Sequence, residues 1–486
     1  MKNKRLCVLF LLAFTVLFLC DCQKSIELTT TSKEAFEYYD EGMIYHYKFY
    51  YSDALQKFHQ AFNRDSTFAM TALRLFNVHY QLGNKDSARF YLNLSKRLSK
   101  KASEYERLIV CRYWSMLYGN YDLSSSVLDT LLNRYPESLE VKLLNASYMH
   151  LQLDYNSALQ LYLEIVEKHP EYVHVYNHIG YLYAKMGLFK ESEKYFKKYL
   201  ELAPDQLNPY DSLSEIYVLT GKYHEAIELI NRALDLSKTL KQHQNYIETS
   251  LYLNLADAYQ HLGQYQNAVQ TSERAFDVAL DDNSRQRVSQ HRFHLFRELE
   301  QIDNMENELR EIKGRGDPNQ NLLMEGILSI EKRNFGESLK KLLLLQNRSN
   351  EEFDTNVKRN LLYLSGYLEA ELNYKSGFYN EAAELFKVSA ATLGDTAHAF
   401  PVYLKRYIAL GEAGNYREAI AGLNSLHSIN PNHPWILLQT GKLYISRGKN
   451  QEALVYLEYL RDLWKNADPD TPIMNEINSM MREINS

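Results

Sequence analysis

Residues 176–204 read YNHIGYLYAKMGLFKESEKYFKKYLELAP, and much of this pattern returns 34 residues earlier and later. Pro136, Pro170 and Pro204 lie 34 residues apart, and Ser124, Ala158, Ser192 and Ala226 keep the same interval. Self-similarity at a fixed period of this size marks a solenoid of repeated supersecondary units.

Within the quoted stretch Tyr176, Ile179, Gly180 and Tyr183 fall at i, i+3, i+4 and i+7, one face of a helix. Gly187 breaks that helix. A second helix carries Ser192, Phe196 and Tyr199 on one face, and Pro204 ends it. Small residues at Gly180 and Ser192 let two helices cross closely, and Phe196 fills the gap beside them. The expected unit is a helical hairpin with an apolar face too large to bury alone.

This unit resembles the tetratricopeptide repeat. The family's order of aromatic, Leu-Gly pair, Tyr, small residue, aromatic and Pro is met by Tyr176, Ile179–Gly180, Tyr183, Ser192, Phe196 and Pro204, with Tyr199 at the second small position. The next unit supplies Tyr210, Leu213, Tyr217, Gly221, Ala226 and Ala233, and the one after it Tyr252, Leu255, Tyr259, Gly263, Ala268 and Ala275. Counted by the small residue that opens the second helix, twelve units are expected. Their markers are Ala54, Ala88, Ser124, Ala158, Ser192, Ala226, Ala268, Met305, Ser338, Ala382, Ala419 and Ala453. The longest excesses over the 34-residue beat fall near Lys238–Asn245 and Asn347–Asp354, where longer helices or loops are expected. The resemblance implies an all-α, right-handed superhelical solenoid of about twelve hairpins. Each unit of such an array is expected to touch only its neighbours.

The organisation expected along the chain follows. Residues 1–22 form a signal and lipidation segment, 23–33 a short linker, and 34–312 an N-terminal array. Residues 313–320, around the glycines and proline of KGRGDPN, form a hinge. Residues 321–468 form a C-terminal array and 469–486 a capping helix.

The opening MKNKRLCVLFLLAFTVLFLCDCQKS has a basic start, a short apolar run from Leu6 to Cys20 and an abrupt polar stop, as in a secretory signal. The run is too short for a bilayer span, which needs about 20 residues. Its end resembles a bacterial lipoprotein lipobox. Cys22 has Leu19 three residues before it and Cys20 has Leu17, with Asp21 and Leu19 where the family prefers a small residue. Cys22 is the expected lipidation site, with Cys20 as the alternative. Cys111 is the sole cysteine after this region, so no disulfide framework and no CxxC metal site is expected.

The formal charge of −6 and the lack of a basic run argue against nucleic acid as a partner. No glycine-rich phosphate loop, GxSxG elbow or HExxH is present, so no catalytic residues, metal or cofactor are expected. His174 and His178 stand at a spacing that can bind a metal, without a carboxylate to complete a zinc pattern. The resemblance implies a concave groove lined by first helices. The stripe beside the packing face holds His174, His178, Tyr181 and Lys185, then Asn208, Ser212, Glu215 and Leu219, then Ser250, Asn254, Asp257 and His261. Such mixed polar groups suit an extended peptide or loop. The expected function is a non-enzymatic scaffold at the cell envelope with protein or peptide partners and a lipid anchor. The alternative is a module holding glycan or peptidoglycan fragments through groove tyrosines.

Overall fold

The computed structural model describes residues 28–240 and 245–485. Cys20, Cys22 and the whole signal segment lie outside the described residues. Twenty-five α-helices follow one another, with no strand among the described residues. They pair into twelve hairpins and a final helix, an all-α solenoid.

The first four hairpins are α1 (Lys33–Tyr47) with α2 (Tyr51–Arg64), α3 (Ala69–Gln81) with α4 (Lys85–Leu98), α5 (Glu104–Leu117) with α6 (Tyr121–Arg134), and α7 (Leu139–Leu151) with α8 (Tyr155–Lys168). The next four are α9 (Val173–Lys185) with α10 (Phe189–Leu202), α11 (Asn208–Leu219) with α12 (Tyr223–Ser237), α13 (Asn245–His261) with α14 (Tyr265–Val278), and α15 (Asp282–Glu298) with α16 (Ile302–Glu311). The last four are α17 (Pro318–Glu331) with α18 (Phe335–Glu351), α19 (Thr355–Lys375) with α20 (Tyr379–Leu393), α21 (Thr396–Glu412) with α22 (Tyr416–Ile429), and α23 (Pro434–Ile445) with α24 (Asn450–Leu463). Helix α25 (Pro472–Asn485) closes the chain.

All twelve marker residues occupy the fourth position of the second helix of their hairpins, and all are buried. The reason is steric. One turn into that helix the backbone passes closest to its partner, so a side chain there must be small or flexible. Met305 meets the requirement by flexibility and is 1% exposed. The complementary gap lies on the first helix: a Cβ on Gly42 would stand 2.6 Å from the Phe58 ring, and one on Gly441 2.9 Å from Leu457. The extra residues near Asn347–Asp354 lengthen α18 and α19 instead of forming a loop.

The chain forms two compact units that divide at Leu182/Tyr183, within α9. The expected hinge is braced: Gln286, buried on α15, accepts a bond from Asp317 N (2.7 Å) and donates to Asp317 O (2.9 Å). In the first unit Arg74 is buried, pairs with both oxygens of Glu140 and donates from Nε to Tyr39 Oη at 3.2 Å. Residues of the expected linker bind this unit, Thr29 N donating to Glu106 (3.0 Å) and Thr30 Oγ1 to Asp65 (2.7 Å).

The second unit departs from the expectation that hairpins touch only neighbours. Three consecutive hairpin turns are covered by chain about two hundred residues further on. Lys185, ending α9, binds Asp395 at 3.2 Å, and Gly187 faces Thr396. Asn430 Nδ2 donates to Leu219 O (3.0 Å) and Asn432 Nδ2 to Gly221 O (2.8 Å). Trp464 Nε1 donates to His261 O (2.8 Å), and Asp468 N to Gly263 O (3.0 Å). Gly221 has φ +80°, and a Cβ there would also strike Asn430 and Asn432. The turn of hairpin 5 thus meets the junction after hairpin 10, that of hairpin 6 the junction after hairpin 11, and that of hairpin 7 the segment after hairpin 12. The offset is constant because the coil advances by the same step at each hairpin.

Candidate partner-binding face

The marker register locates the stripe of each first helix. Eleven residues before the markers stand Tyr181, Glu215, Asp257, His294, Ile327, Glu371, Ile408 and Lys442, and fourteen before them His178, Ser212, Asn254, His291, Met324, Leu368, Lys405 and Gln439.

In the first unit His174 and His178 are half-buried and serve as aromatic packing. His174 stacks on Tyr47 (5.0 Å, 14°) and its Nδ1 donates to Tyr47 O at 3.2 Å. His178 stacks on Tyr162 (5.1 Å, 13°). Burial, and then neighbouring imidazoles, lower both; His178 falls to about 4 and His174 lies well below its usual value. Both are neutral near pH 7, and their rings meet edge to face at 6.0 Å. Among the described residues no group of three or more His, Cys, Asp or Glu is arranged to hold a metal. Tyr181 is half-buried.

In the second unit most of the stripe is engaged within the fold. Ser212 is fully buried. Asn254 Nδ2 donates to Asp211 Oδ1 and to Ser214 Oγ, both at 3.1 Å. His291 Nε2 stands 2.9 Å from Asp257 Oδ1. Burial raises the Asp257 carboxyl, but His291 and His261 outweigh it and leave the group below its ordinary value. His261 donates from Nδ1 to Asp257 O at 2.7 Å, stacks on Tyr223 and meets His433 edge-on. Glu215 and His294 are the exposed groups here.

The residues that sequence reading missed continue the same register past His261. Arg297 binds Glu331 (2.7 Å) and Glu371 (2.6 Å), and Lys405 binds the other oxygen of Glu371 (2.7 Å). Lys375 binds Glu331 at 2.9 Å. Glu371 is 1% exposed, and despite burial the two cations hold its carboxyl well below the usual range. Counting back eleven and fourteen residues from Ala382 and Ala419 would have found Glu371 and Lys405. Asp211 also escaped notice: burial, reinforced by Glu215, pushes its carboxyl up to about 7. The face is therefore mixed, with buried ion pairs at Glu371, apolar positions such as Ile327 and Leu368, and two exposed polar groups suited to polar contacts with a polypeptide. It presents no nucleophile–base pair among the residues described here.

Family models described as tetratricopeptide repeat match residues 173–206 and 205–281. The chain is 21% identical over 387 residues to a TPR repeat-containing protein of Methanocaldococcus jannaschii, a match over 76% of this chain and 59% of that protein. It thus spans less than two thirds of that relative's length. Among solved structures, a tetratricopeptide repeat protein from Parabacteroides merdae aligns at 14% identity over 58% of this chain and 99% of its own, with a TM-score of 0.33. Yeast Tom70 aligns at 12% identity over 93% of this chain and 95% of its own, with a TM-score of 0.36.

Proposed function

The chain carries tetratricopeptide repeats, which generally mediate protein–protein interaction, and on that premise we propose that it is a non-enzymatic scaffold holding protein partners at the bacterial cell envelope. The observation that carries the binding half is the pair of polar groups, Glu215 and His294, exposed on the first-helix stripe of the second unit. A flat apolar groove would favour an amphipathic helix; exposed charged and polar groups favour an extended polar segment. The saccharide alternative rests on groove tyrosines, and Tyr181, the tyrosine in the stripe named above, is half-buried.

The envelope half rests on the basic start, apolar run and Leu-Cys-Asp-Cys of residues 1–22. A lipid on Cys22, or on Cys20, would hold the repeats beside a membrane. Crosslinking in intact cells followed by mass spectrometry tests both halves. Protein crosslinks that fall when Glu215 and His294 are replaced together by alanine support the scaffold reading. An unchanged crosslink pattern removes this face from it. Cys22→Ser should abolish metabolic palmitate labelling, whereas label that persists moves the anchor to Cys20.

A further inference from the structure

We infer that the first-helix stripe ends in a pocket for an arginine side chain of the bound partner, an inference that rests on the scaffold reading and names one group the partner must carry. The pocket lies between α21 and α23 and encloses about 120 Å³. Ile408 and Lys442 stand eleven residues before their markers and Gln439 fourteen, so the pocket belongs to the stripe already described. Gly411 makes room for its floor: a Cβ there would stand 2.6 Å from Leu443. Pockets for drug-sized ligands measure roughly 300–1,000 Å³. This one has the size of a single side chain.

The polar groups of the pocket decide the charge of its guest. Glu412 is exposed and forms no ion pair among the described residues. The side chains of Tyr416 and Gln439 are half-buried and make no hydrogen bond among the described residues. Ser446 Oγ donates to Lys442 O at 3.0 Å and keeps its lone pairs for an incoming donor. The cation of the pocket is already engaged, since Lys442 binds Glu476 of α25 at 2.6 Å. What is left is a carboxylate, an amide and two hydroxyls above an apolar floor of Ile408 and Leu443. Such a set asks for a cation with several donors. A guanidinium presents its donors in a rigid planar fork, whereas an ammonium is a point charge. Its apolar stem would lie along Ile408 and Leu443. An acidic side chain or a C-terminal carboxylate would meet Glu412 and be repelled.

Calorimetry of the full chain with acetyl-Gly-Arg-Gly-amide, and with its lysine and citrulline counterparts, tests this. The arginine peptide should bind saturably, and more weakly as salt is raised. The citrulline peptide has the same shape without the charge and should bind about tenfold more weakly or worse. Glu412→Gln should weaken the arginine peptide by a similar factor and, being at an exposed site, should melt like the wild type. Glu476→Gln frees Lys442 to turn to Glu412 and should also weaken the arginine peptide; adding Lys442→Met should restore it. No saturable heat with the arginine peptide overturns the inference, as does unchanged affinity in Glu412→Gln. Equal affinity for the lysine and arginine peptides, with no response to Glu476→Gln, would mark an ordinary surface carboxylate and overturn it too. The scaffold reading fails separately. Partner crosslinks that still depend on Glu215 and His294 keep that reading when the arginine peptide does not bind, and crosslinks indifferent to them remove it even when the peptide does.

Discussion

At the scale of single residues two of the buried acids of the second unit, Asp211 and Glu371, behave in opposite ways. Asp211 has its carboxyl raised to about 7, so the fold favours its protonated form. The stability linked to it is complete below the ordinary value near 4 and is lost as pH rises through about 7. Asp211→Asn keeps an oxygen for Asn254 and removes the ionisation. It should raise stability relative to the wild type by on the order of 3 kcal/mol more at pH 8 than at pH 5. Urea titrations at both pH values decide this, and equal midpoint differences at pH 5 and 8 would refute it. Glu371 is depressed, so its contribution is present above the ordinary carboxyl value and lost only as pH falls through its lowered one. Glu371→Ala leaves Arg297 and Lys405 facing each other without their shared anion and should cost about 3–5 kcal/mol. A loss below about 1 kcal/mol would mean that solvent already screens the pair.

Helices and hairpins were the most legible level. A period of 34 residues and a small side chain gave the position of every second helix, down to the residue that sits fourth in it, because the steric demand at a helix crossing acts locally. Met305 shows the demand is for fit and not for smallness as such. Gly42 faces the Phe58 ring. Gly42→Leu should overpack that crossing and cost about 1–3 kcal/mol. Hydrogen exchange should rise first in α1 and α2, and uniform loosening of the first unit would contradict this. What sequence reading could not supply was which stripe residues stay exposed. His174, Asn254 and His261 look like groove groups by spacing, yet their partners Tyr47, Asp211 and His433 come from other hairpins. Nothing periodic announces a partner at such distance.

For the second unit as a whole, the covered turns couple segments that one-dimensional packing would leave independent. Replacing Asn430 and Asn432 together by alanine removes donors to Leu219 O and Gly221 O. Each buried carbonyl left unsatisfied costs about 1–3 kcal/mol. Exchange should therefore quicken at residues 218–223 and at 430–433 together, although more than two hundred positions separate them. Quickening confined to 430–433 would show that the contact adds no cooperativity.

The covering of those turns also sets an order of events during synthesis. Gln266 and the Asp468 that binds it are 202 residues apart. A ribosome adding roughly 5–20 residues per second leaves an interval of about 10–40 s between them. During it the covers arrive one at a time, Asp395 for hairpin 5, then Asn430 and Asn432 for hairpin 6, and last Asp468 for hairpin 7. The nascent chain is thus a natural client for a holding chaperone over a defined window. That window closes when the last hairpin and the stretch to Asp468 emerge.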